Sequence, residues 1–188
     1  MVLTRKKLNL NIGCGPFPLH QQHLDEMGDI RDWVLIDKYI KHPMIKNWDA
    51  EVLDEIKNET VDKIYSSHML EHIPHERVLP MLEMWYSKLR QFGTIKVNVP
   101  DLTWAAALLL KYENGQIIEG YFDKFSGERG ILSIIYGSQS HPGEYHSGGF
   151  VASYLNELLG LAGFSHIKID QLVDSHDMGV LIATGDKV

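Results

Sequence analysis

Three stretches of this chain carry residue types at spacings that could do chemistry. The run Leu8 to Ile12, in which Leu8, Leu10 and Ile12 alternate with Asn9 and Asn11, empties into Gly13-Cys14-Gly15. Alternation of period two suits an extended strand, and glycines at its end permit backbone angles and close approaches that a side chain would block. Ligands of α/β proteins sit at the carboxyl ends of the strands, so such a turn is a candidate cradle. Asp37 closes the apolar run Trp33-Val34-Leu35-Ile36, 24 residues past Gly13. A carboxylate there can accept two hydrogen bonds from a vicinal diol such as ribose, and the spacing is close to the roughly 20 residues of a nucleotide-binding unit. The third stretch, Ser66 to His72, places His68 and His72 after a further apolar run, and His141 and His146 follow much later. Histidine titrates near neutrality and so suits acid–base work.

The overall composition narrows the partners. The chain has 188 residues, enough for one domain with a sizeable core, and 18 Lys and Arg against 25 Asp and Glu give a formal charge of −7. That balance speaks against nucleic acid, whose binding draws on clustered cations. The one basic cluster, Arg5-Lys6-Lys7, reads as a solvated terminus. A lone cysteine, Cys14, has no partner for an intramolecular bridge, and neither a membrane-length apolar run nor a signal-peptide core is visible. A reducing cytoplasm is the expected setting.

The elements that must hold these residues follow from periodicity. Strands are predicted at 8–12, 33–36, 44–48, 61–65 and 94–99, with a short helix around 23–27 and another at 51–57. A long amphipathic helix begins at Pro74, carries Val78, Leu79, Leu82, Trp85, Tyr86 and Leu89, and ends before Gly93. A helix at 102–112, another at 150–163 and two strands at 167–173 and 178–184 complete the pattern. Residues 116–149 show no clear periodicity, and a segment that long inside one domain reads as a functional lid. Five strands alternating with helices imply a mostly parallel sheet. The last two strands, joined by the short polar turn Asp174 to Asp177, must form a hairpin, so one of them runs against the rest.

Taken in order, Leu8 to Gly15, Asp37, Asp49-Ala50, Ser66 to His72 and Val99-Pro100-Asp101 resemble the class I S-adenosylmethionine-dependent methyltransferases over nearly the whole chain. His68-Met69-Leu70-Glu71-His72 and His146 to Phe150 are similar to patterns in small bacterial-type members associated with sugar or glycan modification. The resemblance implies a single α/β domain, a three-layer Rossmann-like seven-stranded sheet that is mostly parallel with an antiparallel last strand. It implies S-adenosylmethionine as cofactor, with Gly13, Cys14 and Gly15 beneath its methionine part and Asp37 on its ribose hydroxyls. Lys38 and Tyr39 would border the adenine, Asp49 would accept from the adenine amino group beside Ala50, and Ser66, Ser67 and His68 would border the reacting centre. Two departures stand out. Asn11 replaces the usual acid before the first glycine, keeping a hydrogen-bond acceptor but no charge, and Phe17 replaces the third glycine of the turn.

Methyl transfer to a hydroxyl needs in-line positioning and removal of a proton. His146, in the lid segment, is the first candidate base and His68 the second, followed by Asp101 and His141. No metal is expected: a zinc-protease pattern would put Glu at 69, where this chain has Met69. The acceptor class suggested is a sugar, glycan or other small molecule, with Tyr121, Phe122, Phe125, Tyr136 and Tyr145 as stacking surfaces, and cover supplied by residues 116–149 alone or with a second subunit of a homodimer. Two other classes compete. A nicotinamide-dependent oxidoreductase would share the glycine turn and Asp37, although Pro18 occupies the place of its third glycine. A non-catalytic cofactor-binding module would account for Asn11 and Phe17.

Overall fold

The first strand, β1 (Asn9–Ile12), is buried from end to end. Leu10 and Ile12 have no exposure at all, and the asparagines between them keep no more than 5%. The predicted alternation therefore does not mark a strand with one wet face. Successive side chains point to opposite sides, and here both sides are covered. The structure, a computed structural model, describes residues 6–16, 29–113, 128–140, 142–173 and 178–188. The predicted helix at 23–27 and the turn Asp174 to Asp177 lie outside the described residues, as do Arg5, Phe17, Pro18, Tyr121, Phe122, Phe125 and His141.

Six further strands flank β1: β2 (Trp33–Ile36), β3 (Ile45–Lys46), β4 (Val61–Ser67), β5 (Leu89–Pro100), β6 (Ser165–Val173) and β7 (Gly179–Asp186). Their order across the sheet is β3-β2-β1-β4-β5-β7-β6. β7 lies antiparallel to both β5 and β6, while the pairings among β1 to β5 are parallel. This is the seven-stranded, mostly parallel sheet with a reversed last strand that the sequence implies. Chain direction across the sheet switches at β1, whose neighbours are β2 on one side and β4 on the other. Such a switch point opens a crevice at the carboxyl ends of the strands.

Register decides what stands in that crevice. Ile12 pairs with Ile36 on one side and with Ser66 on the other. The next residue of each strand, Gly13, Asp37 and Ser67, must therefore emerge at one level along the sheet edge.

Helix α1 (His75–Lys88) joins β4 to β5 and buries Val78, Met81, Leu82 and Trp85. Together with Leu10, Ile12, Ile64, Val97 and Phe150 they form the main core, to which α4 (Ala152–Leu161) adds Leu155, Leu158 and Leu159. Fully burying side chains of this size contributes roughly 1.5–3 kcal/mol each. A smaller core joins α2 (Leu102–Glu113) to α3 (Glu128–Tyr136) through Ala105, Leu108, Ile131 and Ile134. Among the described residues no helix is long and apolar enough to cross a membrane.

Three local readings are corrected. Residues 51–57 form turns and no helix, because Leu53 takes a left-handed backbone (φ 42°) while its side chain is fully buried. The spacing of Val52, Leu53 and Ile56 reflects a loop dipping into the core. β5 starts directly after α1, ahead of Gly93, because Leu89 already pairs with Val61. Finally, part of the unpatterned segment is α3, whose apolar stripe meets α2.

Candidate active site

At the carboxyl edge of the sheet a cavity of about 350 Å³ opens, within the range of small-molecule and cofactor sites. Gly13, Gly15, Asp37, Lys38, Tyr39, Asp49, Ala50 and His68, all singled out in the sequence, line it. Asn11, Cys14, Ser66 and Ser67 do not. Asn11 and Ser66 are buried in the sheet behind the cavity, where Ser66 Oγ donates to the Ile12 carbonyl at 2.9 Å. Cys14 packs against Leu35 and Ile45, and burial, with Asp37 adding its charge, pushes its thiol up to about 12. It is an inert thiol, not a nucleophile.

Gly13 sits at φ 70°, and a Cβ there would come within 2.3 Å of Met69 Cγ, so the glycine is required twice over. The amides of Gly13 and Cys14 both donate to the Ile36 carbonyl. Asp37 locks the turn from the other side. One of its carboxylate oxygens accepts from the Gly15 amide at 3.0 Å, and the other accepts from the amides of Tyr39 and Ile40 at 2.9 and 3.0 Å. Three of about four lone-pair sites are thus filled, and the head group is held rigid at the cavity edge.

Beyond Asp37, Lys38 Nζ reaches Asp49 at 2.7 Å. Burial works to raise the Asp49 carboxyl, but the Lys38 contact and the Glu51 amide outweigh it and hold the group below its ordinary value. Ala50 is fixed by Trp85, whose indole N–H donates to its carbonyl at 2.8 Å. The core helix thereby holds the floor of the cavity.

The opposite wall begins at His68, which takes a left-handed backbone (φ 51°), an unusual conformation for a non-glycine residue. Its Nδ1 lies 3.5 Å from Glu71 Oε1, an ion-pair contact too long for a good hydrogen bond. Glu71 is 1% exposed, and neither carboxylate oxygen accepts a hydrogen bond. Burial acts to raise its pKa, but the contact with His68 and the charges of His68 and His72 outweigh it, so the carboxyl lies below its ordinary value. The Glu71 carbonyl accepts the amides of Ser147 and Gly148, which holds residues 147 and 148 against this wall. Pro142 to Tyr145 and Ser147 then complete the lining.

The two first-ranked acid–base candidates part company here. His68 lines the cavity, whereas His146 does not; its ring packs edge-on against His72 at 4.9 Å. Burial holds His146 below its ordinary value, opposed by the Glu71 charge. Asp101 is spent elsewhere. One oxygen caps α2 through the amides of Thr103 and Trp104, and the other accepts from Gln171, so it is a helix cap and does not line the cavity. Glu51 and Arg77, which pair at 3.2 Å and line the cavity, carried no local signal in the sequence.

No protein-family model matches the chain, and no characterised protein matches it in sequence. Solved structures do match in fold. An S-adenosylmethionine-dependent methyltransferase from Archaeoglobus fulgidus superposes with a TM-score of 0.63 at 17% identity, covering 96% of this chain and 86% of its own. The 1,6-didemethyltoxoflavin-N1-methyltransferase of Burkholderia thailandensis, solved with S-adenosylhomocysteine, gives 0.62 at 15%, covering 98% and 72%. A possible histamine N-methyltransferase from Thermotoga maritima gives 0.60 at 15%, covering 99% and 84%. At these identities the likeness is one of fold.

Proposed function

We propose that this chain is an S-adenosylmethionine-dependent methyltransferase whose acceptor is a hydroxyl of a small molecule, a sugar or a glycan. The observation that carries the reading is the line of Gly13, Asp37 and His68 along one sheet edge, around a single cavity at the switch point. The fold neighbours support it, since several are methyltransferases that use this cofactor.

The residues fit the cofactor's parts. Gly13 and Gly15 line the cavity, with nothing within 4 Å of where a Cβ on Gly15 would stand, and Asp37 retains about one acceptor site for a ribose hydroxyl. Asp49 stands where an amino group can donate, with Lys38, Tyr39 and Ala50 around it. Asn11, Cys14, Ser66 and Ser67 shape this cradle from behind. When bound, the cofactor supplies an electrophilic methyl group on a sulfonium, so the protein's task is alignment and proton removal. His68, at the cavity wall, takes the acceptor proton, and Glu71 orients it and stabilises the imidazolium, as a buried carboxylate does for a general base elsewhere. His146 then acts behind the wall and does not touch the acceptor. Tyr145, half exposed at the rim, offers a face on which a sugar ring can stack.

The test is transfer of labelled methyl from S-adenosylmethionine across a panel of sugars, sugar nucleotides and small hydroxyl compounds. The reading predicts transfer to at least one hydroxyl acceptor, lost in His68→Ala while S-adenosylhomocysteine still binds. Transfer undiminished in His68→Ala would remove His68 from the role of base, and transfer only to nitrogen or carbon would overturn the hydroxyl assignment.

A further inference from the structure

We propose that Glu71, His72 and His146 form a binding site for a divalent transition-metal ion at the wall of the cavity. One ligand-type atom from each of the three lies within 4.8 Å of the other two. Sequence spacing gives no hint of it. His68 and His72 have the wrong residue between them for a zinc-protease pattern, but the structure recruits a histidine from the far side of the chain.

Two further features point to an ion. The Glu71 side chain is 2% exposed, and neither oxygen accepts a hydrogen bond, the His68 ring standing off at 3.5 Å. A buried carboxylate with so little compensation is costly, and a bound cation satisfies it directly. The histidines are also arranged as ligands. His72 directs Nδ1 at the Tyr145 carbonyl and His146 directs Nδ1 at the Ile134 carbonyl, each at 3.0 Å. A carbonyl only accepts, so Nδ1 carries a proton in both rings, and Nε2 is the ring nitrogen each has left to offer an ion. A backbone carbonyl fixing the tautomer and the ring in this way is the usual outer support of a metal-binding histidine.

Two imidazoles and one carboxylate suit zinc, iron(II) or manganese more than magnesium or calcium, which favour oxygen alone. Three protein ligands leave coordination positions open, the pattern of sites that bind a substrate atom or water. Because His72 lines the cavity, an acceptor oxygen entering there can complete the shell. That last role rests on the methyl-transfer reading, whereas the metal site itself does not.

Binding is measured on the full chain, stripped of metal, by calorimetry with Zn2+ and Mn2+ and by the Nε2 signals of histidines in 15N-labelled protein. The expected result is one ion per chain, with perturbation of Nε2 in two histidines and binding weakened about a hundredfold or more in His146→Ala. Glu71→Gln should do the same; if it fails to fold, His146→Ala and the wild-type histidine signals carry the test. Binding that is absent, or that persists unchanged in folded His146→Ala, would overturn the site. Metal binding without any methyl transfer would leave the site standing and count against the enzymatic reading alone.

Discussion

The two walls of the cavity are built by different means. The cradle at the ends of β1 and β2 is local: Gly13, Gly15, Asp37 and Asp49 each sit within a residue or two of a strand, or in the turn that follows one, and three main-chain amides hold the Asp37 carboxylate. The facing wall is assembled at long range. His72 meets the Tyr145 carbonyl across 73 residues, and Glu71 draws in Ser147 and Gly148. The cradle is therefore preorganised by the sheet, while the facing wall depends on a segment that docks onto it. Cofactor affinity should reside in the first, and acceptor and metal binding in the second.

This division can be broken by substitution. Asp37→Ala should have the largest effect on cofactor binding. Losing a hydrogen bond to a charged acceptor, at roughly 1.5–3 kcal/mol, together with the three amide contacts that hold the glycine turn, weakens S-adenosylhomocysteine about a hundredfold by calorimetry. Gly13→Ala forces a left-handed backbone on alanine at roughly 1–2 kcal/mol and displaces Met69. It should weaken the cofactor about tenfold and lower Tm by about 2–8 °C. Asp101→Ala removes a helix cap, with an expected loss of about 1 kcal/mol and of about 2–4 °C in Tm. Cofactor affinity should stay within about twofold, since Asp101 does not line the cavity; a large loss of binding would return Asp101 to the site.

The smallest effect concerns Lys38→Met. Asp49 titrates below its ordinary value in the folded chain, so the stability it contributes is present above its unfolded pKa of 3.8 and is lost as pH falls through the folded value. Removing Lys38 raises the folded value and narrows that acid window. At neutral pH the change in stability should stay under about 1 kcal/mol, as for other exposed pairs, and acid denaturation followed by circular dichroism would register it.

The same contrast explains what the sequence could tell. The glycine turn, Asp37 and the reversed last strand were legible because each follows from a few adjacent residues: a strand period, a terminal acid, a connection too short for a crossover. Glu71 and His146 were not legible as partners, because nothing within either neighbourhood announces the other. His146 looked like a cavity base from its place in an unpatterned segment, yet the α2–α3 packing and the Ile134 carbonyl turn its ring toward His72. The helix expected at 51–57 failed for a related reason. Leu53 and Ile56 are apolar because a loop buries them, and spacing alone cannot separate that from a helix face.

The most direct measurement of the central claim is calorimetric titration of the full wild-type chain with S-adenosylhomocysteine and, separately, with NADH. One S-adenosylhomocysteine per chain, lost in Asp37→Ala, with no heat from NADH, is the predicted result. Binding of NADH with none of S-adenosylhomocysteine would contradict it.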